Sequence, residues 1–320
     1  MISFIVIGKN EGWKLKLCFD SIRKVVLLDQ IENYEVIYVD SRSSDDSIAL
    51  AKTYPKTRVF LVTGECNAGV GRNIGAKAAV GDILFFVDGD MELQPNFIKH
   101  VLCDDEKRLI YPFISGLHLN IVYNSQWIMQ YTHLQKHPKD VTEYYQQITG
   151  GLFMVERKYW EELGGIDTRL RANEDYDFGL RMSERSIKLC RKCQLLVKHH
   201  TTPYNLRSTY VTWVKYSAVV FRKHFTNMEY WKHLLIPAQY TAFTLLGCLA
   251  SMIIGTIFYP SCWWLLLLVG YLLILLRKAK RQNEVKIIKM IWLVVKRDIV
   301  FLTSILCFWP KAIELKYEEK

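Results

Sequence analysis

The chain has 320 residues, is 50% hydrophobic and carries a formal net charge of +10. That much apolar material can build one large domain or two smaller ones, which excludes a disordered chain. Residues 1–187 hold 22 Lys and Arg against 26 Asp and Glu, whereas residues 188–320 hold 20 against 6; the bases bracket an uncharged tract, which argues against nucleic acid as a partner.

Ile2 to Ile7 is apolar but too short for a signal sequence and has no basic lead, so it reads as a first strand. Strand-like runs recur at Glu35–Val39, Val59–Val62 and Ile83–Val87, and helix-like stretches separate them at Lys14–Val25, Asp45–Thr53 and Arg72–Val80. This alternation implies a mostly parallel sheet with right-handed crossovers. Open sheets of this kind bind ligands at the carboxyl ends of their strands. Asn10 and Glu11 follow the first strand, Asp40 the second, Asn67, Gly69, Gly71, Arg72 and Asn73 the third, and Asp88 and Asp90 the fourth.

Each strand end has a chemical use if the ligand is a nucleotide diphosphate. Two carboxylates one residue apart, Asp88 and Asp90, suit Mg²⁺ or Mn²⁺, which take one or two protein carboxylates and let phosphate oxygens complete the shell. On spacing alone the same pair reads equally as a polar turn. Asp40 can accept hydrogen bonds from ribose hydroxyls or a base edge. Ser41, Ser43, Ser44 and Asp45 read first as caps of the following helix. Gly69 and Gly71 permit close backbone approach, and Arg72 offers a fork for phosphate. Gly150-Gly151 precedes strand-like Leu152–Val155 and reads as a turn or as a loop against a bound sugar. Glu174-Asp175 opens a helix at Tyr176–Met182, where carboxylates are also ordinary dipole partners. His199-His200 ends a further strand. Imidazole can ligate Mn²⁺, and His199 is the preferred candidate of the two.

The eight cysteines lack framework spacing, in keeping with a reducing compartment; Cys190 and Cys193 form one Cys-x-x-Cys with no second pair. From Leu234 to Leu276 there are 43 residues without a formal charge. Ile236–Phe258, a turn at Tyr259-Pro260-Ser261 and a return through Cys262–Leu276 read as a transmembrane hairpin. Arg222, Lys223 and Lys232 before it, and Arg277, Lys278, Lys280 and Arg281 after it, place both ends in the cytoplasm. In the segment 285–309, Lys296-Arg297-Asp298 makes a third span costly, so an interfacial amphipathic helix is expected.

The order Asn10-Glu11, Val39-Asp40-Ser41-Arg42-Ser43-Ser44-Asp45, Gly71-Arg72-Asn73-Ile74-Gly75-Ala76, Asp88-Gly89-Asp90, Gly150-Gly151 and Asn173-Glu174-Asp175-Tyr176-Asp177 resembles family 2 glycosyltransferases over about residues 1–205. The resemblance implies the α/β GT-A nucleotide-sugar-binding fold, an inverting reaction and Mg²⁺ or Mn²⁺ as cofactor. By that likeness Asp40 contacts the nucleoside, Asp88 the ribose and metal side, Asp90 the metal and Asp175 acts as general base; a histidine at His199 completes the metal site. Ser41 stands where the family commonly has a second aspartate, and Arg42 where it commonly has glycine.

The expected organisation is a GT-A domain over 1–228 and a membrane-associated helical region over 229–320, with the hairpin at about 236–276 and the interfacial helix at about 285–309. Asp175 is the expected catalytic residue. Asn10, Glu11, Asp40, Arg72, Asn73 and Asp88 are expected at the donor, Gly150, Gly151 and Glu174 at the sugar loop, and Asp88, Asp90 and His199 at the metal. The expected reaction is sugar transfer from a nucleotide-sugar to a hydroxyl of a lipid-linked or cell-surface glycan, as in polysaccharide biosynthesis, at the cytoplasmic face of the inner membrane, with a homo-oligomer possible. Transfer to polyprenyl phosphate is the related alternative, although an ionised phosphate needs no base. A silent nucleotide-sugar binder would be expected to lack Asp90 or Asp175, and both are present.

Overall fold

The computed structural model describes residues 1–103, 108–203, 206–234, 240–258, 264–281 and 287–320. They form two compact units, Met1–Tyr204 with Lys311–Lys320, and Asn205–Pro310. In chain order the first unit runs β1 (Ile2–Gly8), α1 (Trp13–Leu28), β2 (Tyr34–Asp40), α2 (Ser47–Lys52), β3 (Thr57–Val62), α3 (Ala68–Ala78), β4 (Ile83–Asp88), β5 (Met91–Leu93), β6 (Phe113–Tyr123), β7 (Met129–Leu134), β8 (Glu143–Gln146), β9 (Phe153–Glu156), α4 (Arg157–Leu163), α5 (Glu174–Glu184) and β10 (Leu189–Thr201). It resumes at β11 (Tyr317–Glu319).

All of these strands belong to one sheet, ordered β11-β3-β2-β1-β4-β9-β6-β10-β5, with β7 beside β6 and β8 beside β10. Strands β3, β2, β1 and β4 are mutually parallel. Strand β9 runs antiparallel to both β4 and β6, and β6 is parallel to β10, so β4, β6 and β10 all end at one edge. Alternation along β1 explains the two cores. Phe4 and Val6 pack with Leu15, Phe19 and Ile22 of α1 on one face. Ile5 packs with Val70 and Ile74 of α3, Trp160 of α4 and Phe178 of α5 on the other. Because both faces are covered, the four parallel strands are nearly continuous apolar runs, which is why they are legible in the sequence.

The last residues depart from the expected domain boundary. Residues 311–320 return to the sheet and cover the β3 edge as β11. Arg58 Nε and Nη2 donate to Glu319 Oε1 and Oε2 at 2.9 and 3.2 Å, and Tyr317 packs edge-on against Phe60. The first unit also ends at Tyr204 rather than near residue 228.

The second unit comprises α6 (Leu206–His224), α7 (Met228–Leu234), α8 (Tyr240–Phe258), α9 (Trp264–Arg281) and α10 (Ile287–Cys307). Helices α8 and α9 pack against each other, and α10 packs against α6, α8 and α9. Among the described residues no helix is long and apolar enough to cross a membrane, so the expected transmembrane hairpin finds no support in the described helices. The expected turn at Tyr259-Pro260-Ser261, the helix start at Ile236 and the return start at Cys262 lie outside the described residues, as do residues 285 and 286. The helix expected over about 285–309 is present as α10, and it packs on α6, α8 and α9. Asp298 is fully buried within the unit, accepts from Arg297 Nε at 2.8 Å and from the Tyr271 hydroxyl at 3.0 Å, and Arg297 also donates to the Thr241 hydroxyl. Charges that would be costly on a lone helix are satisfied by neighbours from α8 and α9.

Helix α5, which carries the Glu174-Asp175 motif, is held against the segment before Gly150 at very short range. A Cβ on Gly179 would lie 1.6 Å from the Gln147 carbonyl oxygen. Gly179→Ala is therefore expected to lower stability by about 1–3 kcal/mol. Thermal denaturation of the full chain checks this, and an unchanged Tm would show that α5 can move away from Gln147 at no cost.

Candidate active site

The sheet topology brings the separate motifs to one edge. Asp40 ends β2, Asn10 and Glu11 follow β1, Asp88 ends β4, Gly150-Gly151 lead into the oppositely directed β9, Tyr123 ends β6, and His199-His200 lie near the end of β10. Antiparallel pairing sets His199 opposite Met91, which carries its ring to Asp90; parallel pairing sets it opposite Asn120.

At the centre is Arg72, on the buried face of α3. Its Nη2 donates to Asp88 Oδ1 at 2.8 Å, and Nη1 stands 3.5 Å from Glu174 Oε1. The free phosphate fork expected of Arg72 is thus not what the guanidinium presents, because both terminal nitrogens face protein carboxylates. Gly151 fits against this pair. A Cβ there would lie 2.1 Å from Asp88 Oδ2 and 2.7 Å from Arg72 Nη2, so only glycine leaves the ion pair in place.

Burial raises the Asp175 carboxyl above the ordinary aspartate range against the pull of Arg72 and of backbone N–H groups at Tyr176 and Gly150. Burial also raises Glu174, with Asp175 adding to it and Arg72 opposing, and raises Asp88, with Asp90 adding and Arg72 opposing. Glu11 is raised by burial and by Asp90, although Lys14 Nζ lies beside its carboxylate. The edge therefore gathers five carboxylates, Glu11, Asp88, Asp90, Glu174 and Asp175, around the cations of Arg72 and Lys14.

The Asp90 carboxylate is the one that fits a cation. Its Oδ1 is buried without a hydrogen-bond partner, and Oδ2 lies 3.4 Å from His199 Nε2. His199 Nδ1 meets Asn120 Oδ1 at 2.8 Å, an acceptor, so Nδ1 carries a hydrogen; burial works against protonation of the ring but Asp90 raises its pKa overall, and a cation bound there would take the place of the Nε2 proton and engage that nitrogen's lone pair. A carboxylate oxygen lacking a partner beside an imidazole lone pair suits a small divalent ion. Among the described residues no set of three such ligands is already gathered; Asp88 is turned to Arg72. His200 is engaged elsewhere, with Nδ1 at 2.9 Å from the Tyr123 hydroxyl and Nε2 at 3.3 Å from Glu92.

Toward β1 and β2 the loops cross-link each other. The Asn10 N–H donates to Ser43 Oγ, and Asn10 Oδ1 accepts from the Ser44 N–H. Asp40 is buried and accepts from the Tyr38 hydroxyl at 2.8 Å and the Ser43 N–H at 2.7 Å. Asp45, read first as a helix cap, accepts from the Gly12 and Ser47 N–H groups and so ties this loop to the start of α1. Arg42 has φ +63°, the left-handed conformation that favours glycine.

Asn73 is not at this edge in a donor role. Its amide pairs with the Ile166 backbone in both directions, Nδ2 to the carbonyl at 2.8 Å and Oδ1 from the N–H at 2.9 Å. Asn67, the N-cap of α3, likewise donates to the Thr168 and Leu170 carbonyls. Together they hold the loop that delivers Glu174 and Asp175. The sequence reading misses this, and it misses Arg181, which pairs with buried Asp177 at 2.9 Å and donates to the Gly165 and Leu163 carbonyls. The available signal was a polar residue on an otherwise apolar helix face, which calls for a partner from elsewhere.

Residues 3–108 match the family profile described as glycosyl transferase family 2. Polypeptide N-acetylgalactosaminyltransferase 10 of Rattus norvegicus is 26% identical over 212 residues, covering 56% of this chain and 34% of that protein. An uncharacterised glycosyltransferase of Haemophilus influenzae is 27% identical over 189 residues, covering 57% of this chain and 62% of that protein. The chain spans about a third of the length of the first of these relatives. The crystal structure of S. aureus TarS 1–349 in complex with UDP-GlcNAc aligns with a TM-score of 0.53 at 14% identity, over 69% of this chain and 66% of that one, which is a likeness of fold. Over residues 3–108, about a third of its length, the chain is thus similar to the family 2 glycosyl transferases.

Proposed function

We propose that this chain transfers a sugar from a nucleoside-diphosphate sugar to an acceptor hydroxyl, with inversion at the anomeric carbon. The observation that carries the reading is the gathering of Asp88, Asp90, Glu174 and Asp175 around buried Arg72 at the carboxyl edge of the sheet. The fold it shares with a protein solved with UDP-GlcNAc supports a nucleotide-sugar as donor. The names of the sequence relatives, N-acetylgalactosaminyltransferases among them, support sugar transfer as the reaction.

In this reading the nucleoside lies over β1 and β2 at Asn10 and Asp40, and the diphosphate near Asp88. Mg²⁺ or Mn²⁺ would be held by Asp90 and His199, where a bound cation offsets the charge of the leaving diphosphate as a Lewis acid. Asp175 takes the proton of the attacking hydroxyl, and Arg72 keeps Asp88 and Glu174 apart from it in fixed positions. A buried base with a raised pKa favours a hydroxyl over an already ionised polyprenyl phosphate as acceptor. Exposed Leu246, Ile253 and Ile254 on α8 and Leu266, Leu272 and Leu273 on α9 support attachment of the helical unit to a membrane, and the basic residues near them favour a cytoplasmic face. Lipid-linked or surface glycans are then the acceptors within reach.

Release of nucleoside diphosphate from UDP-, GDP- and dTDP-sugars by the full chain tests the reading, and no release from any donor together with no nucleotide binding would overturn it. Asp175→Asn is expected to lower kcat about 10²- to 10⁴-fold while donor affinity is kept. Because the base acts ionised, wild-type kcat is expected to rise with pH through a limb above the ordinary aspartate range; a limb unchanged in Asp175→Asn would remove Asp175 from that role. Chelation by EDTA is expected to abolish release and Mn²⁺ or Mg²⁺ to restore it, with Asp90→Ala refractory to restoration; full activity in EDTA would dismiss the cation. Flotation with vesicles containing anionic lipid is expected to carry the chain upward, whereas a chain that stays at the bottom would argue against membrane attachment.

A further inference from the structure

Three large aromatic rings stand together beside Asp90, and none of them is used by the reaction described above. Trp13 opens α1, Tyr123 ends β6, and Trp127 occupies the turn between β6 and β7. The Trp13 ring lies 5.6 Å from Tyr123 and 5.7 Å from Trp127, and Tyr123 lies 5.8 Å from Trp127. Although clustered, both indoles remain open to solvent, Trp13 at 43% and Trp127 at 44% exposure. Burial of their own surface therefore does not account for the arrangement.

The backbone is strained to present one of them. Trp127 has φ +58°, a left-handed conformation that a bulky residue rarely adopts. It is held there by Asn124, whose Oδ1 accepts from the Gln126 and Ile128 N–H groups at 3.0 and 2.9 Å and whose carbonyl accepts from the Trp127 N–H at 3.1 Å. Strain of this sort persists where surrounding structure over-determines it, and it gathers at ligand sites. Lys14 Nζ lies 5.1 Å from the Trp127 ring centroid and also beside Glu11.

The cluster is continuous with the candidate active site. Trp13 is 5.4 Å from the His200 ring, and the His200 N–H donates to the Asp90 carbonyl at 2.9 Å. The order of strands gives the direction. Asp40 and Asn10 lie at β2 and β1 and Asp88 at β4, while Tyr123 and Trp127 lie at the end of β6, on the far side of Asp88 from the nucleoside end; Trp13, which opens α1 three residues after Asn10, reaches across to His200 of β10. With the nucleobase at β1 and β2, as in the reading above, rings at β6 and β10 would meet what lies beyond the transferred sugar.

We propose that Trp13, Tyr123 and Trp127 form the acceptor platform, on which the C–H face of an acceptor sugar ring stacks, with Lys14 beside it for a hydroxyl. The proposal rests on the glycosyltransfer reading and names the substrate class of that site as a glycan. Exposed indoles supply a large rigid apolar surface with an N–H at its rim, which suits a ring that is apolar on its face and polar at its edge.

The test uses the full chain with methyl β-glycosides of glucose, galactose and N-acetylglucosamine as acceptor probes. In the wild type at least one probe is expected to change the indole fluorescence in the absence of donor. Trp127→Ala is expected to raise the acceptor KM about tenfold, with kcat within about twofold and UDP affinity unchanged, and Trp127→Phe to recover most of the loss. Trp13→Ala acts the same way. An acceptor KM unchanged in both alanine variants, or no fluorescence change with any probe, overturns the platform while leaving donor turnover standing. Loss of UDP affinity in Trp127→Ala would assign the rings to the donor and overturn it as well. A wild type that neither binds UDP nor turns over any donor removes the glycosyltransfer reading itself, and the platform with it.

Discussion

A guanidinium removed from water among carboxylates sets the terms for the rest of the first unit. Arg72 is 4% exposed, and its side chain meets Asp88 from β4 and Glu174 from α5. Removing Arg72 would leave Asp88 and Glu174 without their shared cation in a buried setting, a cost of about 3–5 kcal/mol, so the guanidinium ties together the elements that carry them. The same helix holds the rest of the frame. Asn67 and Asn73, on either side of Arg72 in α3, bind the backbone at 166–170 and so fix the approach to Glu174 and Asp175. One helix thereby ties the position of Asp88 to that of the Glu174-Asp175 motif.

The electrostatic balance of that edge has a direction. Arg72 cannot neutralise Asp88, Glu174 and Asp175 together, and burial pushes all three carboxyls upward. A diphosphate brought to such a surface adds negative charge where negative charge is already in excess. A cation accompanying it would offset that charge, and the Asp90 oxygen left without a partner is where the proposed ion would sit. The paired carboxylates of the Asp88-Gly89-Asp90 sequence are thus unequal: Asp88 is engaged by Arg72, whereas Asp90 faces His199 through one oxygen and has no partner at the other.

How much of this was legible depends on where the partner of each residue lies. The parallel strands are apolar on both faces, so their position needs no knowledge of distant residues, and the strand-end motifs followed from them. Arg72 and Asn73 were recognised as special, but the protein groups they bind, Glu174 and Ile166 among them, are far along the chain and so were not legible. The strands β6 to β8 and the terminal β11 were missed for another reason. Strand β7 is exposed along its whole length and β11 is short and charged, so neither carries the alternation that betrays a half-buried strand. Arg42 illustrates the opposite case: the departure from glycine is visible in the sequence, and its backbone does adopt the left-handed conformation that glycine favours.

The helical unit shows why a charge count along one helix misleads. Lys296-Arg297-Asp298 reads as a barrier to burial when each residue is priced separately in an apolar medium. In three dimensions Asp298 and Arg297 bind each other, and Tyr271 and Thr241 meet their remaining hydrogen-bonding capacity. The residual charge on that stretch belongs to Lys296, whose ammonium lies 5.1 Å from the centroid of exposed Trp292. A cation beside an exposed indole is a surface contact, worth about 0.5–1 kcal/mol. The internal pair fixes the helices to one another, and the outward pair sets how their surface meets its surroundings, so the two neighbouring positions serve opposite ends.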